Sequence, residues 1–206
     1  YVDEEMERVH FGDMQYMLAD TGEIDSLLED MRKVDGVERV TMEKMVYGSI
    51  EMEGKEQAPH RMLKAVPEEY SYHIFKGETA EYDPDSAPLL PGESYVPISF
   101  RSIYDNRIGD SFGVKTADGE IRTYTIKGFF EDPTEGSAMM GVKNLLLCRE
   151  DLEELRDSVY GVGDTVPEGA CVRACVVNVT MGRDCPLTVK KLQMKISEET
   201  DVGRYV

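Results

Sequence analysis

Tryptophan is missing altogether from these 206 residues, histidine occurs three times and cysteine four times. Basic residues are scarce beside acidic ones, with Lys+Arg at 23 against Asp+Glu at 41. The resulting charge of −18 and pI near 4.5 repel phosphate backbones and anionic headgroups, which sets nucleic-acid binding aside. No apolar run approaches the roughly 18 residues needed to cross a bilayer, and no basic-then-apolar leader opens the chain, so the stretch as given reads as soluble. It opens on Tyr1 and stops at Val206 without a tail, which reads as a piece of something longer.

Catalytic motifs are missing too. A hydrolase nucleophile needs Gly-x-Ser-x-Gly on a strained strand-to-helix turn, and the chain has none. A phosphate loop needs clustered glycines ahead of Lys-Ser or Lys-Thr, whereas these 18 glycines are dispersed. Acidic runs such as Asp3-Glu4-Glu5 and Glu153-Glu154 read as solvated faces. Asp83-Pro84-Asp85 and the Asp105, Asn106 and Asp110 group offer calcium-type oxygens without EF-hand spacing. No catalytic, cofactor-binding or metal-ligating residue is nominated, and no cofactor is expected.

Cys171 and Cys175 fall on one face of a strand about 13 Å apart, too far to bridge each other. Cys148, Cys171, Cys175 and Cys185 read as apolar structural residues, with a long-range disulfide and a metal site as the alternatives. His10, His60 and His73 are scattered and lie near no cysteine.

What is present is periodicity. Arg8 to Leu18 alternates apolar and polar residues across Gly12-Asp13, predicting a strand with a bulge at Gly12. Ile24, Leu27, Leu28, Met31 and Val34 share one helical face, so a helix spans about 22–34, with Asp20 and Glu23 at capping-box spacing. Asp35-Gly36 stops it, and Val37 to Glu53 reads as strand. From Glu56 to Pro97 six prolines give loops and short strands. A short helix (Ile98–Tyr104), a Gly109-Asp110 turn and a hairpin of Phe112–Thr116 with Glu120–Phe130 follow. Then Leu145–Cys148 as strand, Glu150–Tyr160 as helix, Cys171–Met181 as strand and a last helix capped at Asp184-Cys185-Pro186 repeat the opening pattern. The predicted class is α+β: two βαβ units form a split ferredoxin-like, porter-type lobe (1–66 and 142–206) around a β-rich inserted lobe (67–141).

Twelve methionines mostly occupy apolar positions, but Met139 and Met140 sit in a small-residue loop, Pro133 to Gly141. Adaptable thioethers on a loop suit a contact surface. Met139, Met140 and, in the Pro-rich loop, Leu89 are the candidate partner-contact residues.

Three stretches together carry a resemblance. They are Phe11-Gly12-Asp13 with the Ile24–Leu28 helix and Asp35-Gly36-Val37-Glu38-Arg39-Val40; Ile108-Gly109-Asp110-Ser111-Phe112 with Tyr124-Thr125-Ile126-Lys127-Gly128-Phe129-Phe130-Glu131-Asp132; and the closing strand and helix from Cys171 to about Thr200. In order and spacing, over essentially the whole chain, they resemble the MacB-like periplasmic core domain of FtsX/MacB-like ABC transporter permeases. Where that family has a Gly-Arg step entering the inserted lobe, this chain has Phe75-Lys76-Gly77-Glu78. The resemblance implies a non-enzymatic extracytoplasmic domain in the cell membrane, joined to the transmembrane helices of its own permease. It also implies a separate cytoplasmic ATP-binding subunit or domain, an accessory extracytoplasmic protein, a dimer in the full transporter, and transmission of motion rather than catalysis. The alternative is a secreted or surface-anchored protein-binding module.

Overall fold

The computed structural model describes residues 2–52, 57–134 and 142–206. In chain order the elements are α1 (Val2–Arg8), β1 (Met14–Ala19), α2 (Ile24–Lys33), β2 (Val37–Met52), β3 (Gln57–Ala65), β4 (His73–Ile74) and β5 (Glu93–Pro97). There follow α3 (Ser99–Tyr104), β6 (Ser111–Lys115), β7 (Ile121–Glu131), β8 (Lys143–Leu147), α4 (Arg149–Ser158), β9 (Val172–Met181) and α5 (Val189–Glu199). The class is α+β with mixed strand directions, and the chain forms two compact units, Tyr1–Lys44 with Ala174–Val206, and Met45–Arg173. The division falls inside β2 and β9.

In the first unit β1 runs antiparallel to β9, from Met14 opposite Val179 to Ala19 opposite Ala174, and β2 follows on the other side of β9. The helical face foreseen in α2 is the buried one: Ile24, Leu27, Leu28 and Met31. With Leu18, Val177, Leu192 and Ile196 they form one core, each fully buried large side chain contributing about 1.5–3 kcal/mol. The chain's last turn closes this core, because Ala19 N–H donates to Tyr205 O (2.8 Å) and the Tyr205 hydroxyl donates to Glu23 (2.7 Å).

Local expectations need correction here. The strand begins at Met14, not Arg8, and Val2–Arg8 is a helix with Asp3, Glu4 and Glu5 in its first turn and an Arg8–Glu5 ion pair at 2.5 Å. His10, at φ 56, turns the chain out of that helix. Gly12 is no bulge; it lies against the Val179 backbone, where a Cβ would stand 2.4 Å from Val179 O. The cap of α2 is not Asp20, whose carboxylate instead accepts from the Cys175 thiol (3.7 Å), while Thr21 Oγ1 accepts from Glu23 N–H (3.3 Å). The cap of α5 is Thr188, accepting from Lys191 N–H, rather than Asp184.

The second unit has the strand order β2-β3-β8-β5-β7-β4, with β6 beside β2 and β7. The pairs β3/β8 and β5/β7 are parallel and the rest antiparallel. Val46, Leu63, Val96, Phe112, Ile126 and Phe129 are central to its core, against which Leu155 of α4 and Phe100 of α3 pack. The β6–β7 hairpin turns at Gly119 (φ 89), as Ala117-Asp118-Gly119 predicted. All four cysteines are free thiols. Cys171 donates to Ser49 O (3.2 Å), and burial pushes its thiol up to about 11, so it stays protonated at neutral pH.

Candidate functional site

The motif residues of the middle segment converge on two loops of the second unit. The first is Ala87–Glu93. Gly128 leaves room for the Tyr95 ring, which would lie 3.0 Å from a Cβ there, and the Tyr95 hydroxyl reaches Ala87 O (2.9 Å). Beside Gly128, Lys127 Nζ donates to Pro88 O (3.1 Å) and pairs with Glu93 Oε2 (2.9 Å). That same oxygen accepts from Leu90 N–H (2.7 Å), and Gly92 N–H donates to Asp151 (2.7 Å). The Leu90 N–H, with Lys127, holds the Glu93 carboxyl below the usual carboxylate range. A loop that composition marks as irregular is thus tied down at Ala87, Pro88, Leu90 and Gly92. Leu89 faces inward, 8% exposed, and Leu90 takes the outward position at 62%. Met139 and Met140 lie outside the described residues.

The second loop is the Gly109-Asp110 turn. Asp110 accepts from Arg107 N–H (2.8 Å), and Gly109 adopts φ 94. Glu78, from the Phe75-Lys76-Gly77-Glu78 stretch, closes over it. Its carboxylate accepts from Ile108 N–H (3.1 Å) and from Arg107 Nη1 (3.3 Å), while its backbone oxygen accepts from Arg101 (2.6 Å). The Ile108 N–H above all holds the Glu78 carboxyl below its ordinary value. Of the calcium-type oxygens weighed from sequence, Asp105 pairs with Arg107 (3.5 Å) and Asp83 accepts from Asp85 N–H (3.2 Å), whereas the buried Asn106 Oδ1 has no hydrogen-bond partner among the described residues. Exposed Ile108 and Ile103, at 41% and 54%, belong to the same part of the chain. Sequence reasoning missed Glu78 as a clamp, since its partner lies thirty residues away and no local period marks it.

A measurable consequence follows from the sign of the Glu78 shift. Because the folded carboxyl titrates below the unfolded one, its contribution is complete above the ordinary value of 4.5 and is lost as pH falls through the folded value. Glu78→Gln should therefore lower the protection factor of the Ile108 amide at neutral pH, the observed rate corrected for the intrinsic rate at each pH, towards that of the parent at acidic pH, read by hydrogen exchange with NMR. Unchanged protection would show that the clamp does not hold the turn.

No protein-family model matches the chain, and no curated protein matches it. Solved structures do. The chain is similar to a domain described as part of a permease protein from Porphyromonas gingivalis, with 16% identity, TM-score 0.39, and coverage of 84% of this chain and 75% of that one. It is also similar to the periplasmic region of MacB from Actinobacillus actinomycetemcomitans (12%, TM-score 0.38, 96% and 86%). A further match is the extracellular domain of the noncanonic ABC-type transporter YknZ from Gram-positive bacteria (11%, TM-score 0.36, 88% and 86%). These neighbours are a permease domain and extracytoplasmic transporter domains. Among the described residues no helix is long and apolar enough to cross a membrane.

Proposed function

We propose that this chain is the extracytoplasmic domain of an FtsX/MacB-like ABC transporter permease, coupling ATP hydrolysis on a cytoplasmic partner to a substrate or accessory protein outside. The observation that carries the reading is the course of the chain. Its two ends, 1–44 and 174–206, share one compact unit and one core, while 45–173 builds another. A body held at both ends by membrane helices can take up their movement as one piece. The motif residues fit such a role, because Gly36, Gly109, Gly128 and Asp110 hold turns and loops instead of presenting reactive groups. We read the first unit as the porter-type, split ferredoxin-like part. Partner contact is assigned to the 87–93 loop through the outward Leu90, with Leu89 enclosed beneath it, and to Met139 and Met140.

The test has two parts. The coding sequence should carry an apolar segment of about 20 residues on each side of this stretch; a signal peptide before it and a stop codon after it would overturn the reading in favour of a secreted binding module. In the assembled transporter, spin labels at Glu153 on two copies should change separation between the nucleotide-free and ATP-trapped states. An unchanged distance distribution would overturn transmission of motion through this domain.

A further inference from the structure

Within the first unit, an open cleft of about 500 Å³ lies between α1, the Phe11–Asp13 segment, the start of β2 and the end of β9. Its apolar part comes from Met6, Phe11 and Met181, all half-buried. Two thioethers and a phenyl ring give a surface that adapts to aliphatic side chains of different shape. The volume falls within the range of clefts that take a drug-sized ligand, room for one or two side chains.

The polar lining is asymmetric. Four carboxylates, of Asp3, Glu7, Asp13 and Glu38, face two guanidinium groups, of Arg39 and Arg183. Asp13 is committed, since its carboxylate accepts from Met181 N–H (2.7 Å), and Arg39 reaches Thr180 Oγ1 (3.5 Å). Asp3, Glu7 and Glu38 have no side-chain partner among the described residues. Asp3 and Glu7 stand four residues apart on α1, on one helical face, so both carboxylates line the same wall of the cleft. Like charges at that spacing cost the helix a few tenths of a kcal/mol, and only Asp3, in the first turn, is favoured there by the helix N-terminus. Packing thus supplies no reason for Glu7 and Glu38 to stand beside half-buried methionine and phenylalanine.

We infer that this cleft is a docking groove for a basic, apolar peptide segment, with lysine or arginine side chains meeting Asp3, Glu7 and Glu38 and an aliphatic side chain seated on Met6, Phe11 and Met181. Charge complementarity selects this occupant over an anion, because the free charge of the cleft is predominantly negative and the chain as a whole carries −18. The apolar floor distinguishes it from diffuse attraction of any cation to an acidic protein. The inference goes beyond the transport reading and stands without it, so a failure here leaves that reading untouched.

The probe is a blocked, fluorescently labelled five-residue peptide of alternating lysine and leucine, titrated into the 206-residue chain by anisotropy. Two comparison peptides replace lysine by glutamate or leucine by serine. Saturable binding of the lysine–leucine peptide is expected, weakening as salt rises. Binding should weaken by about fivefold in Asp3→Asn/Glu7→Gln, since two exposed ion pairs are lost. Glu38→Gln, from a different element, should weaken it in the same direction. Glu150→Gln/Glu153→Gln removes the same charge from α4 and should change binding less than about twofold. Equal losses in both double variants would show diffuse electrostatics and overturn the groove. Equal binding of the glutamate peptide would assign the cleft to anions through its arginines, and equal binding of the serine peptide would remove the apolar seat. No saturable binding at all would end the proposal.

Discussion

Phe129→Ala is expected to lower the stability of the 45–173 unit by about 3–5 kcal/mol, the usual cost of truncating a fully enclosed phenylalanine. Phe129 has no exposed surface and lies in β7, opposite Val96 of the parallel strand β5. Its ring also stands beneath the Arg101 guanidinium, 5.7 Å from the centroid, and Arg101 is the residue that holds the Glu78 backbone. Its neighbour Phe130 is equally buried and packs on Tyr72 at 4.8 Å, so both faces of β7 are covered at this point. The strand therefore has little freedom to collapse into the space that a missing ring leaves. Urea unfolding gives the magnitude, and hydrogen exchange locates it, with protection lost first in 45–173. Ile121→Ala, on the exposed end of the same strand at 53% exposure, should stay within about 0.5 kcal/mol of the parent. A loss below about 1 kcal/mol for Phe129→Ala would mean that the unit is not organised around this strand.

The same strand shows what a sequence discloses and what it hides. Tyr124, Ile126 and Gly128 alternate with exposed Thr123 and Thr125 and half-buried Lys127, and that period of two is legible at once. So is the period of α2, because a stripe of apolar residues against one sheet leaves its trace at i, i+3, i+4 and i+7. The helix α1 left no such trace. It is seven residues long and mostly charged, held by a local ion pair, while Val9 and Phe11 after it happen to alternate like a strand. The caps failed for a related reason. Asp20 and Asp184 have the right chemistry, but each sits several residues outside its helix, and the entering turn decides which oxygen meets the free N–H groups.

The candidate sites were legible only as loops. Composition marked 84–97 as irregular, and it forms no regular strand or helix up to Gly92, yet anchors from β5, β7 and α4 tie that loop down. Those anchors are 8 to 59 residues distant in sequence, and pairings of that range have no local signature. The cleft is a sharper case. Its lining runs from Asp3 to Arg183, so only the folded chain brings the α1 acids beside the end of β9. Leu89 and Leu90 show the finest limit, since adjacent identical residues take opposite roles, one enclosed and one outward.

Gly12→Ala is expected to cost the first unit about 3 kcal/mol, at the upper end of what overpacking does, because the obstacle is backbone and cannot rotate away. A Cβ on Gly12 would stand 2.4 Å from Val179 O and 2.7 Å from both Val179 C and N. Val179 is itself wholly buried and paired with Met14, so it cannot recede without pulling β9 from β1. The chain just after Gly12 is held on the same strand by the Asp13 carboxylate, which accepts from Met181 N–H at 2.7 Å. Relief must then come from lifting Phe11 to Asp13 off β9, which breaks that hydrogen bond and spoils the cleft that Phe11 and Met181 line. Two readouts should move together: the thermal midpoint falls, and the Met181 amide exchanges faster. Gly22→Ala supplies the contrast, since nothing lies within 4 Å of its Cβ position. Alanine there should be neutral or stabilise by about 0.4–1 kcal/mol through the unfolded chain. If Gly12→Ala were as mild as Gly22→Ala, the close crossing of this segment over β9 would be wrong, and the Phe11-Gly12-Asp13 motif would need another physical reason.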